Sequence, residues 1–278
     1  MEILTRSGSV RDRVALWRKA GERVALLPTA GTLHKGHLRL VAEAQERARR
    51  VVVSVFAPAA GRDAPFSETD RDLLKNVGAD LVFAPPIQEM YPLGTDSPTS
   101  VAVPLGVPPL GTTLAPVETA AGLTLLLKLL HVVVPDIAVF GERDFLQLVA
   151  VRRMVADLFV PVEILSCETL RESDGLALAS SNRLLSAEQR RIAPGLYAGL
   201  RQIARQIDAG ARDYAALEQQ GLAALAQAGL EPDFLAIRAA LDLSLVHSKT
   251  RDLVLLAGAR LGAMRLIDNL RVRLDARY

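Results

Sequence analysis

The chain has 278 residues, half of them hydrophobic, with 33 basic and 31 acidic side chains and a net charge of +2. That length suits one large domain or two modest ones around a sizeable core. The balanced charge and an aromatic content of 4% argue against a basic, base-stacking surface for nucleic acid. No apolar run is long enough to cross a bilayer, and the N-terminal Met1–Arg6 stretch lacks a signal-peptide core. The single Cys167 has no internal disulfide partner, which suits a reducing compartment, and one cysteine with scattered histidines argues against structural zinc. A cytoplasmic protein with neither membrane nor nucleic-acid partners is expected.

In chain order, Ser9 to Ala20 reads as a helix, Val24 to Leu27 as a buried strand and Leu38 to Arg49 as an amphipathic helix. Val51 to Phe56 is a strand, Glu68 to Asn76 a short helix and Asp80 to Ala84 a strand. Leu123 to Val132 is a helix, Ile137 to Phe140 a strand, Leu146 to Leu158 a helix and Val162 to Leu165 a strand. Such alternation predicts an α/β fold, a doubly wound parallel sheet wrapped by helices, in which ligands sit beyond the carboxyl ends of the strands. The pattern changes near Arg171: two long helices, Ala187 to Gln206 and Tyr214 to Ala228, precede short strands at 234–238, 253–257 and 265–269. The expected division is therefore a domain over 1–170 and a smaller C-terminal α+β domain over 171–278.

Two of the four histidines, His34 and His37, lie in Pro28-Thr29-Ala30-Gly31-Thr32-Leu33-His34-Lys35-Gly36-His37, where a strand turns into a helix. Backbone N–H groups and the helix dipole favour anions at such a point, and imidazoles add donors for phosphate oxygens. Alone, the pair is equally compatible with a capped helix start. His131, in the apolar run Leu129–Val133, is expected to be a packed helix-end residue. Gly141-Glu142-Arg143-Asp144-Phe145-Leu146-Gln147 follows another strand. Its glycine permits close backbone approach, its arginine presents a planar fork for phosphate, and Asp144 suits a ribose hydroxyl or a helix cap. The loop Asp174–Arg183 is rich in small and hydroxyl residues and suits either a nucleotide cover or a plain connector.

Thr-Leu-His-Lys-Gly-His resembles the His-x-Gly-His element of the nucleotidylyl-transferase superfamily, with its Rossmann-like fold. GERDFLQ, DGLALASSN, DLVFAPPIQEMYP, LSAEQRRIAPGLY and RLIDN together resemble the pantothenate synthetase family over essentially the whole chain. The resemblance implies a usually homodimeric ligase that uses ATP and Mg²⁺ to join pantoate and β-alanine through an acyl-adenylate, releasing AMP and pyrophosphate. It places ATP against Pro28, Thr29, Ala30, Gly31, His34, His37, Gly141, Arg143, Asp144, Leu170, Leu178, Ala179, Ser180 and Ser181. His37, His34 and Arg143 take the catalytic roles, and Gln147 and Gly61 occupy acid-binding positions. No protein-built metal site is expected.

The sequence also departs from the family. Ala30 stands for a methionine, and Pro58-Ala59-Ala60-Gly61-Arg62 replaces Asn-Pro-x-Gln-Phe. Asp63 stands for a tyrosine, Ala115–Ala121 replaces an arginine- and histidine-bearing segment, and Arg143 replaces a lysine. Ala179 and Ser181 stand for a serine and an arginine. These changes leave open ligation of a different small acid or amine, or a weakened, nucleotide-binding homologue.

Overall fold

The computed structural model describes residues 1–56, 66–95, 98–103 and 116–274, with side chains in the last segment described from residue 120. Gly61 and the segments around 58–63 and 104–115 lie outside the described residues. The chain divides into two compact units. The first takes the described residues within Met1–Val103, Pro116–Gly141 and Ala150–Cys167; the second takes those within Glu142–Val149 and Glu168–Tyr278.

The first unit is built on a six-stranded sheet in the order β1-β4-β3-β2-β5-β6. Its strands are β1 (Glu2–Leu4), β2 (Val24–Thr29), β3 (Arg50–Val55), β4 (Leu81–Phe83), β5 (Ile137–Gly141) and β6 (Glu163–Cys167). Every pairing in it is parallel. Parallel strands covered on both faces read as continuous apolar runs. That is why VALL, VVV and IAVF are buried along their lengths. The intervening helices are α1 (Ser7–Lys19), α2 (Lys35–Gln45), α3 (Glu68–Val77), α4 (Ile87–Met90), α5 (Pro116–Val133) and α6 (Phe145–Asp157).

From β2 the chain winds outward through β3 to β4, then returns to lay β5 on the other side of β2. The carboxyl ends of β2 and β5 therefore flank the point where the winding reverses, which is where open α/β sheets bind ligands.

The second unit carries an antiparallel meander of β7 (Glu231–Ala239), β8 (Asp252–Leu261) and β9 (Met264–Arg273). Helices α7 (Ala187–Ile192), α8 (Gly195–Asp208) and α9 (Tyr214–Gln227) precede it. Leu196, Leu200, Ile203 and Ile207 repeat at helical spacing and form one core with Leu253, Leu255, Ala257 and Ala259 of β8.

The elements differ from the sequence expectations in specific ways. The expected helix from Ala187 to Gln206 is two helices, because Pro194 has no N–H to continue the first and instead precedes the second. The short β1 and α4 carry too little periodicity to be read. His131 is exposed rather than packed. Leu129, Leu130, Val132 and Val133 are buried around it, and the helical period turns His131 outward.

Candidate functional site

The turn after β2 is shaped by its backbone. Gly31 has φ +84° and Thr32 φ +53°, so two consecutive residues adopt the left-handed conformation. Pro28 and Thr29 close β2 half-buried, the Thr29 hydroxyl donates to the Ser54 carbonyl at 2.8 Å, and Ala30 is exposed. The chain then enters α2 with His34 as the residue before the helix, in extended conformation (φ −140°, ψ 174°).

The two histidines cap this helix reciprocally. His34 Nδ1 accepts the Gly36 N–H at 3.1 Å, and His37 Nδ1 accepts the His34 N–H at 3.3 Å. Their rings lie 4.1 Å apart between centroids, tilted by 44°. Because each Nδ1 accepts a backbone N–H, the neutral form of either ring carries its proton on Nε2. Capping and phosphate donation are thus compatible: one ring nitrogen orders the helix start and the other carries the donor. Gly36 makes this arrangement fit, since a Cβ there would lie 2.7 Å from His34 Cε1. Gly141 ends β5, the neighbour of β2 across the switch point.

Glu142 to Val149, directly after Gly141, belong to the second unit. Asp144 caps α6, its carboxylate accepting the Gln147 N–H at 3.2 Å, so the helix-cap alternative for Asp144 holds. Burial pushes the Asp144 carboxyl up, opposed by the Gln147 N–H and by Arg143. Burial holds Arg143 below its ordinary value, while Asp144 and Asp268 pull it back up. Arg143 Nε is buried without a hydrogen-bond partner among the described residues.

Arg143 lines one small cavity together with Leu176, Ala177, Asn182, Tyr197 and Asp268, so the structure brings it next to the DGLALASSN loop. Within that loop Leu178 N–H donates to the Leu170 carbonyl at 2.9 Å, which joins two further expected positions. Leu170 is exposed, Leu178, Ala179 and Ser181 are half-buried, and Ser180 is exposed at the start of a 3-10 turn over Ser180–Leu184. Gln147 is exposed on α6.

Two side chains with evident roles escaped the sequence reading. Asp70 accepts from the Thr32 and Leu33 backbones. Asn269 Nδ2 donates to the carbonyls of Glu142 at 2.6 Å and Arg143 at 3.0 Å, fixing the arginine turn. The only signal for Asp70 was Ser67-x-x-Asp70, which reads as an ordinary helix start; for Asn269 it was the RLIDN match alone.

Among the described residues no cluster of three or more histidine, cysteine, aspartate or glutamate side chains is placed to hold a metal ion. Mg²⁺ binds through phosphate oxygens and its own waters more readily than in a protein cage. No helix among the described residues is long and apolar enough to cross a membrane.

A doubly wound, Rossmann-like α/β unit with a histidine-capped turn at its switch point, joined to a small α+β unit, defines the class of protein. Comparison with known proteins narrows it. The chain belongs to the pantoate–beta-alanine ligase family, whose model matches residues 2–271. A pantothenate synthetase of Thioalkalivibrio sulfidiphilus is 44% identical over 280 residues, covering 96% of this chain and 98% of the relative. One from Pseudomonas aeruginosa is 44% identical over 275 residues, covering 96% and 97%. The pantothenate synthetase structure from Thermus thermophilus superposes with a TM-score of 0.83 at 36% identity, covering 97% of this chain and 99% of that one. A Francisella tularensis pantoate–beta-alanine ligase matches in fold with a TM-score of 0.74 at 24% identity, covering 97% of each chain.

Proposed function

We propose that the protein is an AMP-forming ligase that condenses pantoate with β-alanine at the expense of ATP. The observation that carries this reading is the reciprocal histidine cap at the end of β2, in a chain that belongs to this ligase family. The pantoate carboxylate attacks the α-phosphorus of ATP, the α–β phosphoanhydride bond breaks, and pyrophosphate leaves. The amine of β-alanine then attacks the acyl carbon of the adenylate, loses a proton, and expels AMP. Neither step needs a covalent bond to the protein. Both need alignment and donors aimed at developing charge.

His34 and His37 supply Nε2–H donors to the phosphates at the helix start, and the half-buried Arg143 guanidinium offers positive charge to the departing pyrophosphate. Pro28, Thr29, Ala30, Gly31 and Gly141 lend backbone at the strand ends. Asp144 holds the arginine turn through its cap, and Gln147 orients the acid. The family resemblance adds Leu170, Leu178, Ala179, Ser180 and Ser181 to the nucleotide contacts and Gly61 to the acid contacts. Mg²⁺ bound with the nucleotide neutralises phosphate charge. A homodimer working in the cytoplasm completes the reading, and light scattering on the purified protein tests the dimer.

A second reading is ligation of a different small acid, favoured by Pro58-Ala59-Ala60-Gly61-Arg62, where Gly61 stands in place of the family's acid-binding glutamine. Pyrophosphate release from ATP and Mg²⁺ is the test, measured over a panel of small hydroxy acids with and without β-alanine. Release that depends on pantoate, with pantothenate identified by mass spectrometry, is expected. Turnover of another acid alone selects the second reading, and no release with any acid defeats both.

A further inference from the structure

We propose that Asp70 is a positioning residue that acts through the histidine turn, setting the direction of the His34 and His37 donors without touching the substrate. Asp70 lies in the first turn of α3, only 6% exposed. Its Oδ1 accepts the Leu33 N–H at 2.8 Å and its Oδ2 the Thr32 N–H at 3.2 Å. No lysine, arginine or histidine forms an ion pair with it among the described residues. A buried carboxylate is thus spent on two consecutive backbone donors.

Those donors belong to the turn that most needs holding. Thr32 is a β-branched residue at φ +53°, a conformation such side chains avoid unless the surroundings impose it. The next residue after Leu33 is His34, whose extended backbone and ring set the helix cap and, through it, the His37 ring. Asp70 is itself anchored: its N–H donates to the Ser67 hydroxyl at 3.0 Å, and Leu74, one turn on, is fully buried in the core that also holds Leu33 and Val41. The clamp runs from the core through α3 to a strained turn and ends at two ring nitrogens.

Asp70→Asn keeps the volume and one acceptor but points an N–H₂ group at a backbone N–H. The turn relaxes, and the reciprocal cap loosens. The expected kinetic result is a fall in kcat of about tenfold or more with KM for ATP changed less than about threefold. His37→Ala falls about a hundredfold, and Asp70→Asn added to the His34→Ala/His37→Ala double variant slows it no further. A further loss of about tenfold or more in that background overturns the proposal, because it places Asp70's effect outside the histidine pair.

This kinetic arm rests on the ligase reading; a second arm does not. Imidazole ¹⁵N–¹H spectra of the full-length protein report which nitrogen of each ring carries the proton. The wild type is expected to show Nε2–H at both positions, and Asp70→Asn a mixture, at a melting temperature within a few degrees of wild type. A wild-type protein silent in turnover but with that tautomer change retires the ligase reading and keeps the clamp. Unchanged tautomers in Asp70→Asn reject the clamp whatever the activity. Asp70→Glu, which retains the carboxylate but lengthens it, covers failure of Asp70→Asn to fold; the same tautomer mixing is expected, and unmixed tautomers reject the proposal.

Discussion

In a neutral imidazole one ring nitrogen carries the proton, and at His34 and His37 the backbone decides which. Both Nδ1 atoms accept main-chain N–H groups, so both donors are Nε2. His37→Ala removes one donor and half of the cap together. Loss of an oriented donor of this kind costs roughly a hundredfold in kcat, whereas loss of a helix cap costs about 1 kcal/mol of stability. A purified His37→Ala protein should therefore melt within a few degrees of wild type and turn over about two orders of magnitude more slowly. Gly36→Ala separates the two effects further. Alanine favours a helix over glycine by about 1 kcal/mol, but its Cβ would drive the His34 ring away from its cap. A variant with unchanged or higher melting temperature and a depressed kcat is expected; retained activity would mean that the ring's placement does not matter. His131→Ala is the control, since His131 is exposed on α5 and should alter neither rate nor stability.

Elements in this chain are joined at their ends by side chains from distant positions. Helix α1 has no cap of its own from Arg6; Glu89 of α4 supplies it, accepting the Ser7 N–H at 2.8 Å and the Ser7 hydroxyl at 2.6 Å. Those two donors, with Arg6 nearby, hold the Glu89 carboxyl below the usual carboxylate range. The stabilisation is therefore fully present above the unfolded-state pKa and is lost as pH falls through the lower folded value. Glu89→Gln should lower stability by about 1 kcal/mol near neutral pH. The gap to wild type should close in acid, as thermal melts across pH would record; a gap independent of pH would contradict the assignment. In the second unit Arg171 makes a two-pronged bond to Asp268, at 2.6 and 2.9 Å, and stacks over Tyr197 at 3.5 Å. Asp268 is 5% exposed. Arg171→Ala leaves that carboxylate with the Asn269 N–H at 2.8 Å and the charge of Arg143. The cost should therefore be about 3 kcal/mol or less, at or below the low end for a broken buried pair, and denaturant titration should register the loss. None of these partnerships could be read from local sequence, because capping motifs announce a helix start but not a partner 82 or 97 residues away.

At the scale of the whole molecule, legibility follows how local each feature is. Val24–Leu27, Val51–Phe56 and Ile137–Phe140 were readable as strands because burial on both faces leaves uninterrupted apolar runs, and the alternation with helices then fixed the doubly wound class. The order β1-β4-β3-β2-β5-β6 was not readable, since it depends on where the chain crosses back. The candidate site shows the same split: His34, His37 and the Gly141–Asp144 turn are contiguous motifs, whereas Asp70 and Asn269, which hold those two turns, come from other elements. A nucleotide bound at the switch point couples to the stability of the unit that carries it, because a ligand for the folded state alone stabilises by RT ln(1 + [L]/Kd), about 2.7 kcal/mol at a hundredfold excess over Kd. ATP with Mg²⁺ should accordingly raise the wild-type melting temperature by several degrees. Glu89→Gln, changed at a side chain whose hydrogen bonds go to Arg6 and Ser7, should start lower and show the same rise. The double replacement His34→Ala/His37→Ala should lose most of the rise while keeping its ligand-free melting temperature within a few degrees of wild type. A full ATP shift in that double variant would move the nucleotide away from the β2 turn.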